Sequence, residues 1–198
     1  GHASFGYYAF LHAFDNFTQL ELDSVCMPGS KFYGHLPYLK DDKRFHYGSG
    51  SLGHGLPYAL GLAFAKYKNS STETIYCIVG DGEANEGTFW ESLLILKKFP
   101  YLNIKIIIDQ NNSSERAIPI KSFLDSLKDL YSDKNYVSSV NGHNLTELES
   151  SLESSTITIA NTIKGYPVDT LMTPMWHHKS PSKEELISIN QDLERLLK

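Results

Sequence analysis

Two short polar strings hold the residues best suited to chemistry. Gly80-Asp81-Gly82 sets one carboxylate between two glycines at the end of the apolar run Thr74 to Val79, and Asp109-Gln110-Asn111-Asn112-Ser113 follows a second run, Ile104 to Ile108. Glycine lets a backbone approach a ligand closely, and a strand end that leads into a helix offers an anion unpaired N–H groups and the positive end of a dipole. Asn111 lies 30 residues beyond Asp81. If the two runs are neighbouring parallel strands, the Asp81 carboxylate and the Asn111 amide can converge on one hard cation. Such a cation takes oxygen ligands and completes its shell with phosphate oxygens. Mg²⁺ holding a diphosphate is the direct reading. The same residues are also ordinary turn formers, and local chemistry alone leaves both readings open.

Two rival motifs fail on their own terms. Asp81, Glu83 and Asn85 alternate like the start of a calcium loop, but Glu86 stands where that loop needs glycine and Ser92 where it needs glutamate. Gly48-Ser49-Gly50-Ser51-Leu52-Gly53 matches the dinucleotide pattern GxGxxG, yet the preceding Asp41 to Tyr47 is too polar to be the buried strand that pattern requires.

The elements that must position these loops follow from apolar spacing. Leu56, Ala59, Leu60 and Ala63 recur at helical intervals, with Pro57 near the start where a missing N–H costs little. Small residues at 59, 61, 63 and 65 let that helix lie close to a neighbour. The runs 74–80 and 104–109 read as strands buried on two faces. Between them Phe89, Leu93 and Leu96, with Trp90 and Leu94 beside them, make a broad helical stripe. Further on, Phe123, Leu124 and Leu127 suggest a helix, Tyr136 to Val140 a strand, Leu145 to Leu152 a helix capped by Asn144, and Thr156 to Ile163 a strand. Ser182 with Glu185 forms a capping box ahead of Leu186, Ile189, Leu193 and Leu196. Strand and helix in alternation predict an α/β fold, an open parallel sheet flanked by helices, with ligands beyond the carboxyl ends of its strands.

Composition narrows the class. The chain has 198 residues, 41% hydrophobic and 21% charged, which fits a single domain over 1–198 with a real core. A net charge of −5 and the absence of a long basic run give no surface for a phosphate backbone, so nucleic acid is not an expected partner. No stretch approaches the ~18 apolar residues that span a bilayer, so no membrane is expected and the cytosol is the default compartment. The two cysteines, Cys26 and Cys77, demand no oxidising environment, and Asn-x-Ser/Thr tripeptides such as those at Asn16, Asn69 and Asn144 weigh little without a secretion signal. The opening Gly1-His2-Ala3-Ser4 runs straight into an apolar stretch without an initiator Met, which suggests that preceding residues belong to the domain.

At this point the residues resemble a family. Gly80-Asp81-Gly82 with Asn111-Asn112 looks like the thiamine-diphosphate motif, and the string GDGEANEGTFWESL resembles its transketolase form. GHASFGYY near the start, PGSKFYGHL at 28–36, GSLGHGLPYALGLA at 50–63 and WHHKSP at 176–181 are similar to transketolase segments in the same order. The likeness is to the thiamine-diphosphate-binding, diphosphate-domain fold, in the short form found where a transketolase is split into two chains. It implies that Asp81 and Asn111, with the backbone carbonyl of Ser113, ligate Mg²⁺, and that Gly80 and Gly82 adjoin the diphosphate. Gly50 and Leu52 line the aminopyrimidine edge of the cofactor. Glu86 is implied to join a carboxylate network between the cofactor sites of two subunits; the alternative is a solvated first-turn glutamate complementing its helix dipole.

Three histidines, His2, His35 and His177, fall on family positions, and proton traffic on substrate hydroxyls near neutral pH suits imidazole. His2 and His177 are implied near the diphosphate and reacting centre, His35 at the donor's hydroxyls; His178 fits the spacing to Pro181 as well as His177 does. His12, His46 and His143 are read as ordinary surface or capping residues. The glutamate that activates thiamine belongs, in this family, to a separate pyrimidine-binding domain. The resemblance therefore implies an enzyme subunit that is inactive alone, self-associates through its cofactor domain, and works as a heterotetramer with a pyrimidine-domain (C-terminal) transketolase subunit. Its expected reaction is transfer of a two-carbon ketol unit from a ketose to an aldose, on a sugar or sugar-phosphate substrate. Another thiamine-dependent acyloin reaction, and a non-catalytic nucleotide- or metal-binding module, are the alternatives.

Overall fold

The computed structural model describes residues 1–113, 126–127, 129–131, 136–177 and 179–196, without the side chains of Pro174 and His177. The chain forms two compact units, Gly1–Leu52 and Gly53–Lys198.

The first unit is small and aromatic. Helix α1 (Ser4–Ala13) and the short α2 (Gln19–Asp23) surround a cluster of Tyr8, Leu11, Phe17, Phe32 and Phe45, all buried. Phe17 and Phe32 meet edge to face with ring centroids 4.8 Å apart, a favoured arrangement of aromatic quadrupoles. Arg44 ties the rim together. Its guanidinium lies 2.8 Å from Glu21 and 2.7 Å from Asp42, donates to the Asn16 carbonyl at 2.6 Å, and covers the rings of Phe17 and Phe45. Residues 43–45 form a 3-10 turn, so no strand leads into the Gly48–Gly53 pattern, in keeping with its rejection as a dinucleotide loop.

The second unit is the α/β body. Helix α3 (Gly55–Lys68) leads to β1 (Ile75–Gly80), a 3-10 turn over Asp81–Asn85, α4 (Gly87–Lys98) and β2 (Ile104–Gln110). Further along the chain come β3 (Val137–Asn141), α5 (Leu145–Ser154), β4 (Ile157–Asn161) and α6 (Lys183–Leu196). The four strands form one parallel sheet in the order β1-β2-β4-β3. Leu56, Ala59, Leu60 and Ala63 of α3 and Phe89, Leu93 and Leu96 of α4 are buried in one cluster with Ile104, Ile106 and Ile108 of β2. Each large side chain of that set contributes roughly 1.5–3 kcal/mol by leaving water. The Asn144 cap and the Ser182–Glu185 capping box form as the sequence predicts.

Two expectations are corrected. β1 is not buried on both faces: Tyr76 and Ile78 are exposed, because β1 is the outer strand of the described sheet and only its other face meets the core. Leu94 stands outside the α4 stripe, exposed on the far side of the helix from Leu93 and Leu96. α6 forms as the sequence predicts; on it only Ile189 is buried, while Leu186, Leu193 and Leu196 stay exposed, because the helix docks through polar residues on an adjoining face. The expected helix at Phe123 and Leu124 lies outside the described residues; Leu127 is buried in the core. Among the described residues no helix is long and apolar enough to cross a membrane.

Candidate functional site

The carboxyl ends of β1 and β2 lie side by side, with Gly80 opposite Asp109. Asp81 therefore leaves the sheet level with Gln110, and Asn111 follows one residue later. Asp81 is only 6% exposed, and among the described residues its Oδ2 has no hydrogen-bond partner. A buried carboxylate oxygen left without a donor costs of the order of 1–3 kcal/mol or more, so the site favours a cation or a donor supplied from outside. Among the described residues, a Cβ at Gly80 would meet nothing within 4 Å. Gly82 lies half-buried in the following turn.

Asn111 is held from behind. Its amide nitrogen donates to Asp109 Oδ2 at 2.8 Å, while Asp109 Oδ1 accepts the hydroxyl of Thr162, just past β4. The Asn111 amide oxygen accepts the Ser113 N–H at 3.0 Å, an Asx turn helped by Asn112 at φ 58°. Among the described residues no second donor reaches that oxygen. A carboxylate oxygen without a partner and an amide oxygen with spare capacity suit a hard cation such as Mg²⁺, which takes few protein ligands and retains water or phosphate oxygens. Among the described residues no group of three or more His, Cys, Asp or Glu could hold a metal ion, so any cation here depends on that smaller donor set.

Glu83 organises the loop, a role that sequence reasoning missed. Its carboxylate accepts the Gly80 N–H at 2.9 Å and the Gly53 N–H at 3.1 Å, joining the end of β1 to the start of α3. A local signal existed: an acid three residues beyond a strand-ending glycine is the geometry of a capping box. Gly53 itself is required. It has φ +76°, and a Cβ there would lie 2.5 Å from Thr88 Oγ1 and 2.7 Å from Glu86 Cβ. Glu86 is half-buried against it, in the N-cap position of α4, where its side chain makes no cap hydrogen bond. It is thus neither in the first helical turn nor fully solvated.

In the first unit, His2 and His35 come together with ring centroids 5.4 Å apart, and a Cβ at Gly50 (φ +140°) would lie 3.7 Å from the His35 ring. Both histidines and Leu52 are exposed. Ser49 pairs with Leu36 through both backbone and side chain, at 2.9 Å in each case, which fixes the Gly48–Gly50 segment beside His35. His177 ends a 3-10 turn over residues 174–177. Its side chain, and all of His178, lie outside the described residues, so the choice between them is not a geometric one. Of the two cysteines, Cys26 is exposed, while burial pushes the Cys77 thiol up to about 12 and makes it inert.

Known proteins resemble this chain in sequence and fold. The family model for the dehydrogenase E1 component matches residues 24–116. An apulose-4-phosphate transketolase subunit of Actinobacillus succinogenes is 32% identical over 197 residues, which cover 94% of this chain and 70% of that one. The 6-deoxy-6-sulfo-D-fructose transketolase subunit SqwG of a Clostridium species is 29% identical over 174 residues, 83% of this chain and 63% of its own. A crystal structure of transketolase from Campylobacter jejuni superposes with a TM-score of 0.78 over 94% of this chain but 32% of that one, at 23% identity, a likeness of fold. With the parallel sheet carrying Asp81 and Asn111 at adjacent strand ends, and with that identity running across most of a transketolase subunit, the chain belongs to the transketolase family, corresponding to its N-terminal, diphosphate-domain subunit.

Proposed function

We propose that this chain is the diphosphate-binding half of a two-chain transketolase, which with thiamine diphosphate and Mg²⁺ moves a two-carbon ketol unit from a ketose to an aldose. The observation that carries the proposal is the buried Asp81 oxygen, unpartnered among the described residues, at the end of a strand whose parallel neighbour leads into Asn111. The names of the two relatives, each a transketolase subunit, support the division into two chains.

In this reading Asp81 and Asn111, with the Ser113 carbonyl, would hold Mg²⁺, and Gly80 and Gly82 would adjoin the diphosphate. When bound, thiamine diphosphate supplies the electron sink that lets the carbon–carbon bond of the ketose break. Gly50 and Leu52 would line its pyrimidine edge. His2 and His35 sit close enough to share one cluster of substrate hydroxyls, where they would take and return protons, and His177 would do the same nearer the reacting carbon. Glu83 keeps the Gly80–Asp81 backbone fixed while this happens. Glu86 would join the cofactor sites of two copies of this chain, and a pyrimidine-domain subunit would supply the activating glutamate, giving a heterotetramer.

The test is reconstitution. The chain mixed with a pyrimidine-domain subunit, thiamine diphosphate and Mg²⁺ is expected to turn over a ketose phosphate with an aldose acceptor, and the chain alone is not. Asp81→Asn should weaken Mg²⁺-dependent thiamine diphosphate binding by more than about tenfold, since losing even an outer-shell partner costs a metal site that much. No thiamine-dependent turnover with any ketose donor, or undiminished binding by Asp81→Asn, would overturn the reading.

A further inference from the structure

The last helix does something unusual for its composition: it turns a polar face inward. On α6, Glu185, Ser188 and Asp192 are half-buried at positions i, i+3 and i+7, one stripe of the helix, while Leu186, Leu193 and Leu196 face outward. Asp192 and Ser188 grip the segment that ends at His177, and Glu185 grips Lys179 just beyond it. Asp192 Oδ2 accepts the Thr170 hydroxyl at 2.8 Å and the Thr170 N–H at 3.3 Å, and Ser188 lies 3.2 Å from the same hydroxyl. The Thr170 carbonyl in turn accepts the indole N–H of Trp176 at 2.8 Å. From the other side, Glu185 pairs with Lys179, whose ammonium stands 4.6 Å from the centroid of the Trp176 ring. Trp176 is thus held at its edge through Asp192 and on its face through Glu185, and His177 is the next residue. Arg195, exposed and 3.5 Å from Asp192 Oδ1, leaves Oδ2 to the loop.

We propose that Asp192 and Glu185 are positioning residues: α6 is a polar brace that fixes the turn carrying Trp176 and so sets where His177 acts. The inference rests on the role given to His177 above. It fits the outward leucines, since apart from Ile189 the face that meets the protein makes hydrogen bonds and an ion pair to one stretch of chain.

Trp176 reports on the brace directly, because the chain has only two tryptophans, Trp90 and Trp176. In the full chain labelled with 5-fluorotryptophan, two ¹⁹F resonances are expected, with Trp90→Phe giving the assignment. Asp192→Ala and Glu185→Ala should each move or broaden the Trp176 resonance and leave that of Trp90 in place, while Asp192→Asn, which retains an acceptor oxygen, should restore the wild-type position. A Trp176 resonance that stays put in Asp192→Ala, or that moves together with Trp90, overturns the brace. In the enzyme reconstituted with its pyrimidine-domain subunit, Asp192→Ala should lower kcat about tenfold or more with little change in KM, as expected of a misplaced catalytic group. That loss should vanish in a His177→Ala background, and if it persists there, Asp192 acts elsewhere and the proposal falls. If His177→Ala itself leaves turnover unchanged, the role of His177 is wrong, and the fluorine spectra alone then decide whether the brace exists.

Discussion

Replacing Glu83 probes whether one carboxylate holds the candidate site together. Its two oxygens accept the N–H groups of Gly80 at 2.9 Å and Gly53 at 3.1 Å. Hydrogen bonds to a charged group are worth ~1.5–3 kcal/mol each, and Glu83 is only half-buried, so the lower end applies. Glu83→Ala therefore should cost about 3 kcal/mol, and Glu83→Gln, which keeps one acceptor oxygen, about half of that. Urea denaturation gives the global figure. Because the chain forms two compact units, amide exchange at Gly53 and Gly80 isolates the one that matters. Loss of about 3 kcal/mol corresponds to exchange faster by roughly a hundredfold at both amides. Glu83→Ala within about 0.5 kcal/mol of the unchanged protein, the range of an ordinary surface substitution, would refute the clasp, as would unaltered exchange at either glycine.

Further expectations concern the rest of the chain. The Arg44 guanidinium holds Glu21 down to about 2 from an ordinary 4.5, and Asp42 is lowered by the same partner. Carboxylates depressed in the folded state bind protons later than in the unfolded one. The stability they lend is present above pH 4.5 and is lost as pH falls towards 2. Discounted for partial exposure, this amounts to about 1–2 kcal/mol, and Arg44→Met should flatten the acid limb of a thermal-melt profile. A thiol reagent at pH 8 should label Cys26 rapidly and Cys77 only on unfolding, measured as one fast equivalent followed by one slow. Gly142→Ala drives a Cβ into the Thr162 methyl at the sheet's carboxyl edge, and calorimetry should show a loss of about 1–3 kcal/mol, typical of overpacking.

Much of the body was legible because its signals are local and repetitive. Ile104 to Ile108 is broken only by Lys105, Ala59 and Ala63 fall one helical turn apart, and Ser182 precedes Glu185 by the spacing a capping box needs. The candidate ligands were picked out for a different reason: strand ends are where backbone groups run out of partners, and Asp81 and Asn111 stand there. What escaped was long-range. Nothing adjacent to Glu83 announces that it will reach Gly53, 30 residues earlier, and nothing near Asp192 announces Thr170, 22 residues away. The exposure of Tyr76 escaped too, since an apolar strand reads the same whether it lies in the middle of a sheet or at its side. The pattern on α6 gave the helix but not its docking side, because leucines at helical spacing describe an amphipathic helix without saying which side will dock.

The uncovered side of β1 has a practical corollary. Tyr76 and Ile78 stand 61% and 67% exposed on a strand, Ile75-Tyr76-Cys77-Ile78-Val79-Gly80, that contains no charge and no proline. Lysine, proline or an inward-pointing charge is the usual guard on such a margin. Attraction between patches of this sort strengthens with sulfate or phosphate and weakens on cooling. A preparation of this polypeptide by itself will therefore salt out early, and dilute, cold, low-sulfate buffers are the medium in which it will keep.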